Sequence, residues 1–284
     1  MHTKDLYIRD PFIYIKDGVY HLYASHKDSA GRRSIVVYTG TDLENWSDPQ
    51  TVFDPPADFW GTENFFAPEM HPYRGKYYLF CTFKTPERNR ATSILRSDSP
   101  LGPFLPFGQE QITPMDWMAL DGTLYVDENA RPWMVFCHEW TQLKDGTMCA
   151  VPLKEDLSAP DGPVITLFGA SEAPWVRSVQ DEGNFVTDGP FLYHAPDGSL
   201  NMLWSSFCKT GYCVGRARSE GGISGPWIQD ESPVYCLDGG HCMLFTDLQG
   251  QLRMSLHGPN RLTFERGIYL KIAISCDGQI TILD

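Results

Sequence analysis

The chain has 284 residues, with 36 acidic against 23 basic side chains and a formal net charge of −13. Such a surface repels phosphate backbones and anionic lipid heads, which argues against nucleic-acid and membrane-surface partners, and no run of about 18 apolar residues offers a transmembrane helix. Hydrophobic residues (42%) and aromatics (13%) supply a large core, while 25 Gly and 21 Pro spread along the chain favour many short strands joined by tight turns.

The N-terminus, Met1-His2-Thr3-Lys4-Asp5, lacks the apolar stretch of a signal peptide. A cytoplasmic location is expected from it, or a secreted one if a signal has been removed. Residues 12–15 and 19–23 then form a first predicted hairpin across the turn Lys16-Asp17-Gly18. Residues 70–73 and 77–80 repeat it across Arg74-Gly75-Lys76, and 123–126 and 132–136 across 127–131. Residues 191–193 and 200–204 follow across Asp197-Gly198-Ser199, and 243–245 and 252–256 across Leu248-Gln249-Gly250. Asp-Gly and related pairs supply the positive φ that tight hairpins need. The second strands start at Val19, Tyr77, Pro132, Leu200 and Leu252, a spacing of roughly 50–70 residues that suits one four-stranded blade with its loops.

A weaker motif follows three of the hairpins: an acidic turn closing on an aromatic, at 41–46 (TDLENW), 97–104 (SDSPLGPF) and 219–227 (SEGGISGPW). These mark outer strand pairs; in the fifth unit 266–274 and 279–283 are expected to take that place. Five such units predict an all-β chain, a five-bladed β-propeller forming a single domain over residues 1–284. Two packed sheets would account for the strands but not for the period. The eight cysteines contain no CxxC pair and several lie in apolar strand-like runs, so they are expected as reduced thiols within the core.

The residues entering each inner strand should stand in equivalent places around the axis. They read Arg9-Asp10-Pro11, Pro68-Glu69, Asp121-Gly122, Asp188-Gly189-Pro190 and Gly240-His241. Four blades thus direct a carboxylate at the central funnel, Asp10, Glu69, Asp121 and Asp188, and the fifth directs His241. Any one Asp-Pro or Asp-Gly pair is an ordinary turn former; their recurrence at one position of consecutive repeats is what points to chemistry. Converging carboxylates repel, so some of their pKa values are expected to rise and none to fall. One protonated and one ionised carboxyl are what glycoside hydrolysis requires. There is no GxSxG, HExxH or phosphate-loop motif to support another hydrolytic chemistry.

Arg9-Asp10-Pro11-Phe12, Phe66-Ala67-Pro68-Glu69-Met70-His71, Leu120-Asp121-Gly122, Asp188-Gly189-Pro190 and Gly240-His241 together resemble family 43 glycoside hydrolases, in that family's order and over almost the whole chain. The resemblance implies an inverting enzyme acting on pentose-containing oligo- or polysaccharides such as arabinan, arabinoxylan or xylooligosaccharides, of arabinofuranosidase or xylosidase type. It makes Asp10 the base that activates water and Asp121 the group that orients and tunes the acid. The family's acid is a Glu in Glu-Gly-Pro, and the matching residue is Asp188, whose carboxyl falls about 1.5 Å short of a Glu's reach. Glu139, at the end of the blade-three hairpin, and Glu172, in the connection to blade four, are the alternative acids. The resemblance also implies a central ion, commonly calcium, beside His241 and held mostly through water; otherwise His241 hydrogen-bonds across the funnel. No cofactor is required.

Trp117 and Trp140 are candidate sugar platforms, with Trp60, Phe66, Trp175 and Phe207 behind them, and His26, Arg90 and His257 are further polar candidates. The loops 86–90 and 172–181 are expected to set the depth of the pocket. Two alternatives remain beside the pentosidase: a sugar-binding propeller that has lost hydrolysis, and a retaining fructan-cleaving propeller. The latter normally carries Asn-Asp-Pro-Asn-Gly and Glu-Cys motifs, which are absent from this chain.

Overall fold

A computed structural model describes residues 1–180 and 183–283, so of the loop 172–181 only Asp181 lies outside the described residues. Among the described residues twenty strands form five antiparallel four-stranded sheets, each built from four consecutive strands. Blade one holds β1 (Phe12–Lys16), β2 (Val19–Lys27), β3 (Arg33–Gly40) and β4 (Gln50–Phe53). Blade two holds β5 (Glu63–Tyr73), β6 (Lys76–Thr85), β7 (Arg88–Ser97) and β8 (Leu105–Pro106). Blade three holds β9 (Ala119–Val126), β10 (Pro132–His138), β11 (Thr147–Pro152) and β12 (Ile165–Gly169). Blade four holds β13 (Asp188–His194), β14 (Leu200–Cys208), β15 (Gly211–Ser219) and β16 (Trp227–Gln229). Blade five holds β17 (Gly240–Thr246), β18 (Leu252–Gly258), β19 (Arg266–Ile274) and β20 (Ile280–Ile282). The first strands touch in cyclic order, β1 to β5, β9, β13, β17 and back to β1, so they line the axis of a five-bladed propeller.

The core follows from strand alternation. Each sheet sends one set of side chains to each neighbouring blade, and large apolar groups fill the wedges between them. Tyr23, Phe53, Phe65 and Phe83 pack where blades one and two meet, and Phe168, Trp175 and Trp204 where blades three and four meet. Trp46, Phe104 and Trp227 of the three acidic-turn motifs are buried. Cys81, Cys137, Cys149, Cys213 and Cys242 are buried thiols, and all eight cysteines are free.

At the funnel end the strands do something the alternation did not announce. Two residues oppose one in the inner hairpins of blades two to five. Ala67 and Pro68 lie opposite Cys81, and Asp121 and Gly122 opposite Phe136. Gly189 and Pro190 lie opposite Trp204, and His241 and Cys242 opposite Leu256. The first residue of each pair has a positive φ: Ala67 (45°), Asp121 (57°), Gly189 (48°) and His241 (53°). Asp10, two residues before β1, shares this conformation (52°). The expected motifs therefore lie inside the strands in four blades rather than ahead of them, because the ladder runs on through a bulge. The equivalences also shift: Ala67, not Glu69, matches Asp10, and Gly189, not Asp188, matches Asp121. Glu69 stands two residues beyond its bulge position and Asp188 one residue before.

Gly189 is the one ring position where a side chain has no room, since an added Cβ would lie 2.7 Å from His241 Cγ at φ +48°. Gly189→Ala should cost about 1–3 kcal/mol through left-handed strain and collision. Thermal denaturation reads this as a melting midpoint lowered by several degrees; an unchanged midpoint would contradict the placement of His241 against Gly189.

Candidate active site

The left-handed residues aim three of the ring's side chains at one another. His241 Nδ1 lies 3.2 Å from Asp10 Oδ1 and 3.7 Å from Asp121 Oδ2, so one imidazole bridges two carboxylates from blades one and three. The Gly189 N–H donates to Asp121 Oδ2 at 3.1 Å, the Thr82 hydroxyl accepts from the Asp121 N–H at 3.0 Å, and the Ser205 hydroxyl accepts from the His241 N–H at 2.8 Å. The bulges of blades three, four and five thus each spend a backbone N–H on a side chain of another blade, which compensates for the ladder bonds they interrupt.

Asp10 also meets His257, fully buried on β18, whose Nδ1 lies 3.2 Å from Asp10 Oδ1 and 3.3 Å from the Asp10 backbone nitrogen. With its proton on Nε2 the ring accepts from that N–H, and with a proton on Nδ1 it donates to the carboxylate instead. Arg9 completes the surroundings 3.9 Å from Asp10 Oδ2, while donating to Asn260 Oδ1 and to the buried Glu265 at 3.0 Å each.

These contacts overturn the expectation that no carboxylate would be depressed. Burial alone would raise Asp10, but His241, His257 and Arg9 together outweigh it and hold the carboxyl well below the usual range. Asp121 behaves oppositely: burial first, then the charge of Asp10, push it well above that range against the Gly189 N–H. Asp188 is raised likewise, by its depth in the funnel and then by Asp121, against His241, Arg9 and a hydrogen bond from Tyr212. The Tyr212 hydroxyl donates to Asp188 Oδ2 at 3.1 Å.

The two alternative acids are placed differently. Glu139, buried at the end of β10 just before the short helix α1 (Trp140–Leu143), is ion-paired to Arg90, which also donates to Asn64 Oδ1 at 3.1 Å. Burial raises the Glu139 carboxyl and Arg90 opposes the rise, while the charge of Glu139 adds to the rise at Asp121. Glu172 does not join the cluster. It is exposed and accepts from the Gly169 N–H at 2.7 Å, capping a short 3-10 turn (Ala170–Glu172). Its place in the connection before blade four made it a candidate acid, and there it serves as a cap instead.

Glu69 is buried and its Oε2 lies 3.2 Å from His71 Nε2. Trp117 is stacked on His138 (3.9 Å, 13°), and Trp140 opens α1 half-buried, both on the rim of blade three at the funnel end. Trp175 is core, packed 5.0 Å from Trp204 and closing over Gly215. Sequence reasoning missed Tyr212 altogether and ranked His257 low. Both lie on the second and third strands of their blades, where no motif marks them. The signal available was positional: each stands at the funnel end of its strand.

A funnel that gathers one depressed and two raised carboxyls around a histidine suits a carboxylate-based glycoside hydrolase on a propeller. Comparison with known proteins makes the class specific: the model of glycosyl hydrolases family 43 matches residues 5–270, and the chain belongs to that family. The solved endo-arabinase from Bacteroides thetaiotaomicron VPI-5482 is similar over 98% of both chains, at 43% identity and a TM-score of 0.90. The extracellular endo-α-(1→5)-L-arabinanase 1 of Bacillus subtilis (strain 168) is 25% identical over 253 residues, 84% of this chain and 72% of that protein. Xylosidase/arabinosidase 43A of Humicola insolens is 25% identical over 150 residues, 48% of this chain and 45% of its own length. Of the readings open at the sequence level, the family 43 hydrolase stands, and neither the fructan-cleaving nor the non-catalytic propeller is needed.

A reaction that uses Asp10 ionised and Asp188 protonated is bounded below by the first and above by the second. Because the two are pushed apart, the kcat/KM profile should show an acid limb below the ordinary carboxylate range and an alkaline limb above it. A profile with both limbs inside that range would refute the pairing.

Proposed function

We propose that this glycoside hydrolase cleaves α-1,5-linked arabinan within the chain, with inversion, using Asp10 as base, Asp188 as acid and Asp121 to orient and tune the acid. The observation that carries the reaction type is the opposite displacement of two neighbouring carboxyls by named partners. The substrate rests on the likeness to the Bacteroides thetaiotaomicron endo-arabinase along the full chain.

In the proposed reaction Asp10, kept ionised by His241, His257 and Arg9, removes a proton from water as the water attacks the anomeric carbon. Asp188 gives its proton to the departing glycosidic oxygen. Asp121, joined to the residue after Asp188 through the Gly189 N–H, sets the backbone from which the acid projects. Inversion needs space for water between base and acid, about 6.5–9.5 Å. His257, which holds Asp10, and Tyr212, which holds Asp188, stack on each other with their centroids 5.6 Å apart, so base and acid are carried by adjoining rings.

Glu139 is the weaker acid candidate because Arg90 occupies one of its oxygens, and Glu172 has no route to the cluster. Trp117 and Trp140 on the rim, with Glu69 deeper in, are proposed to contact sugar.

A hydrated calcium ion beside His241 is a proposal of its own. His241 Nε2 is buried without a partner and could face one. Among the described residues no three His, Cys, Asp or Glu side chains cluster to hold a metal, and calcium takes six to eight oxygens. Such an ion would therefore depend on water for its shell, and no step above passes through it. Among the described residues no helix is long and apolar enough to cross a membrane. An endo-acting enzyme meets a polymer most readily outside the cytoplasm, which favours export over the cytoplasmic expectation.

Asp188→Asn should lower kcat on arabinan by about 10²–10⁴-fold, and a 4-nitrophenyl arabino-oligosaccharide, whose leaving group needs little protonation, should lose far less. Parental rates in Asp188→Asn with loss in Glu139→Gln would move the acid to Glu139. First-turnover NMR should show the inverted anomer. Added calcium should raise the melting midpoint of the parent and not of His241→Ala; an equal rise in both would remove the ion from His241.

A further inference from the structure

Asp188 is a short acid, and a carboxyl on a short side chain is useful only if its direction is fixed. Its Oδ2 accepts from the Tyr212 hydroxyl at 3.1 Å. Tyr212 lies at the start of β15, opposite Phe207 of β14, and is itself 1% exposed. Its ring is held on several sides. It stacks on His257 at 5.6 Å and 23°, and packs on Phe207 at 5.2 Å. An added Cβ on Gly240 would come within 2.5 Å of its Cε1, so Gly240 leaves the space that the ring fills. Its backbone N–H donates to Asp238 Oδ1 at 3.2 Å. A ring so confined presents its hydroxyl in one place.

We infer that Tyr212 is a positioning residue for the proton donor: it pins one oxygen of Asp188, leaving the other to carry the proton toward the glycosidic oxygen. The inference rests on the assignment of Asp188 as acid. As the proton leaves, Asp188 becomes a carboxylate, and a hydrogen bond from a neutral phenol to a charged acceptor is stronger than one to a neutral acid. The contact therefore grows along the reaction coordinate, which is the condition for it to speed the step rather than merely bind. The charged and titratable groups around the pair are Asp10, Asp121, Arg9, His241 and His257. Burial, then Asp188 and Asp10, push the phenol well above its ordinary pKa, so it stays a donor. The same ring also reaches the base, since His257 Nδ1 lies 3.2 Å from Asp10 Oδ1. One tyrosine thus ties the spacing of acid and base to the packing of blades four and five.

The test compares Tyr212→Phe, Asp188→Asn and the double variant on an arabino-oligosaccharide and on its 4-nitrophenyl glycoside. Tyr212→Phe should lower kcat on the oligosaccharide about 10–100-fold with little change in KM, and should scarcely affect the aryl glycoside. The double variant should be no slower than Asp188→Asn, because the tyrosine acts through the acid. Replacing Tyr212 by 3-fluorotyrosine keeps the donor and should keep the oligosaccharide rate, which covers the case of a phenylalanine variant that folds poorly. Equal losses on both substrates, or losses that multiply in the double variant, would reduce Tyr212 to a packing residue and overturn the inference. So would an inactive Asp188→Asn beside a fully active Tyr212→Phe. A fully active Asp188→Asn would instead remove the acid assignment on which the inference rests.

Discussion

Five residues in the left-handed backbone region, one per blade, hold the funnel in its shape. For Ala67, Asp121, Asp10 and His241 this conformation costs of order 1–3 kcal/mol each, and Asp is among the residues that bear it best. Four of the five are held by a fixed partner for the backbone N–H: Thr82 for Asp121, Ser205 for His241, the Asp121 carboxyl for Gly189 and His257 for Asp10. A regular strand would send alternate side chains to the two neighbouring blades. The left-handed residue turns its side chain toward the axis, in a bulge at Asp121 and His241 and ahead of β1 at Asp10, and so brings these three within reach of one another from three different blades.

Once the carboxylates converge, they cannot all be ionised in a site this buried. The structure resolves the conflict by uneven company rather than by distance. Asp10 takes the cations and imidazoles, whereas Asp121 receives one backbone N–H and Asp188 a phenol. Repulsion from the favoured group then raises the others, so the depressed Asp10 is itself a cause of the raised Asp121, and Asp121 of the raised Asp188. Removing the partners of any one would move the proton on all three. The chemistry is therefore a property of the set.

How far this was legible in the sequence differs by level. The hairpins were readable because Asp-Gly turns and apolar runs are local, and even the outer strands of blade five, expected at 266–274 and 279–283, are found at Arg266–Ile274 and Ile280–Ile282. The ring was readable as a recurrence but misaligned by one residue at Asp188 and two at Glu69. A bulge adds a residue without leaving a compositional mark where Ala or Asp, rather than Gly, takes the positive φ. The direction of the pKa shift at Asp10 was not readable, since repulsion among carboxylates is visible in a list of motifs and the imidazole of His257 is not. Tyr212 was invisible for the same reason: its role comes from Gly240, His257 and Asp188, which the chain supplies from three separate strands.

The place of Asp10 carries one further consequence. No strand is shared between the first and last sheets, each of which is made of consecutive strands, so the ring is closed by contacts between blade five and the N-terminal segment. Many of these gather around Asp10. Arg9 bonds Asn260 and Glu265, the Ile8 N–H donates to the Glu265 carbonyl, and the Ser255 hydroxyl donates to the Pro11 carbonyl at 3.0 Å. Met243 and Phe245 pack into the blade-one core. Loosening that joint would separate Asp10 from His257 and His241, which belong to blade five, before it disturbed any single sheet. The depressed carboxyl of Asp10 is thus held by His241, His257 and Arg9, and Arg9 also bonds Asn260 and Glu265 where blade five meets the N-terminal segment.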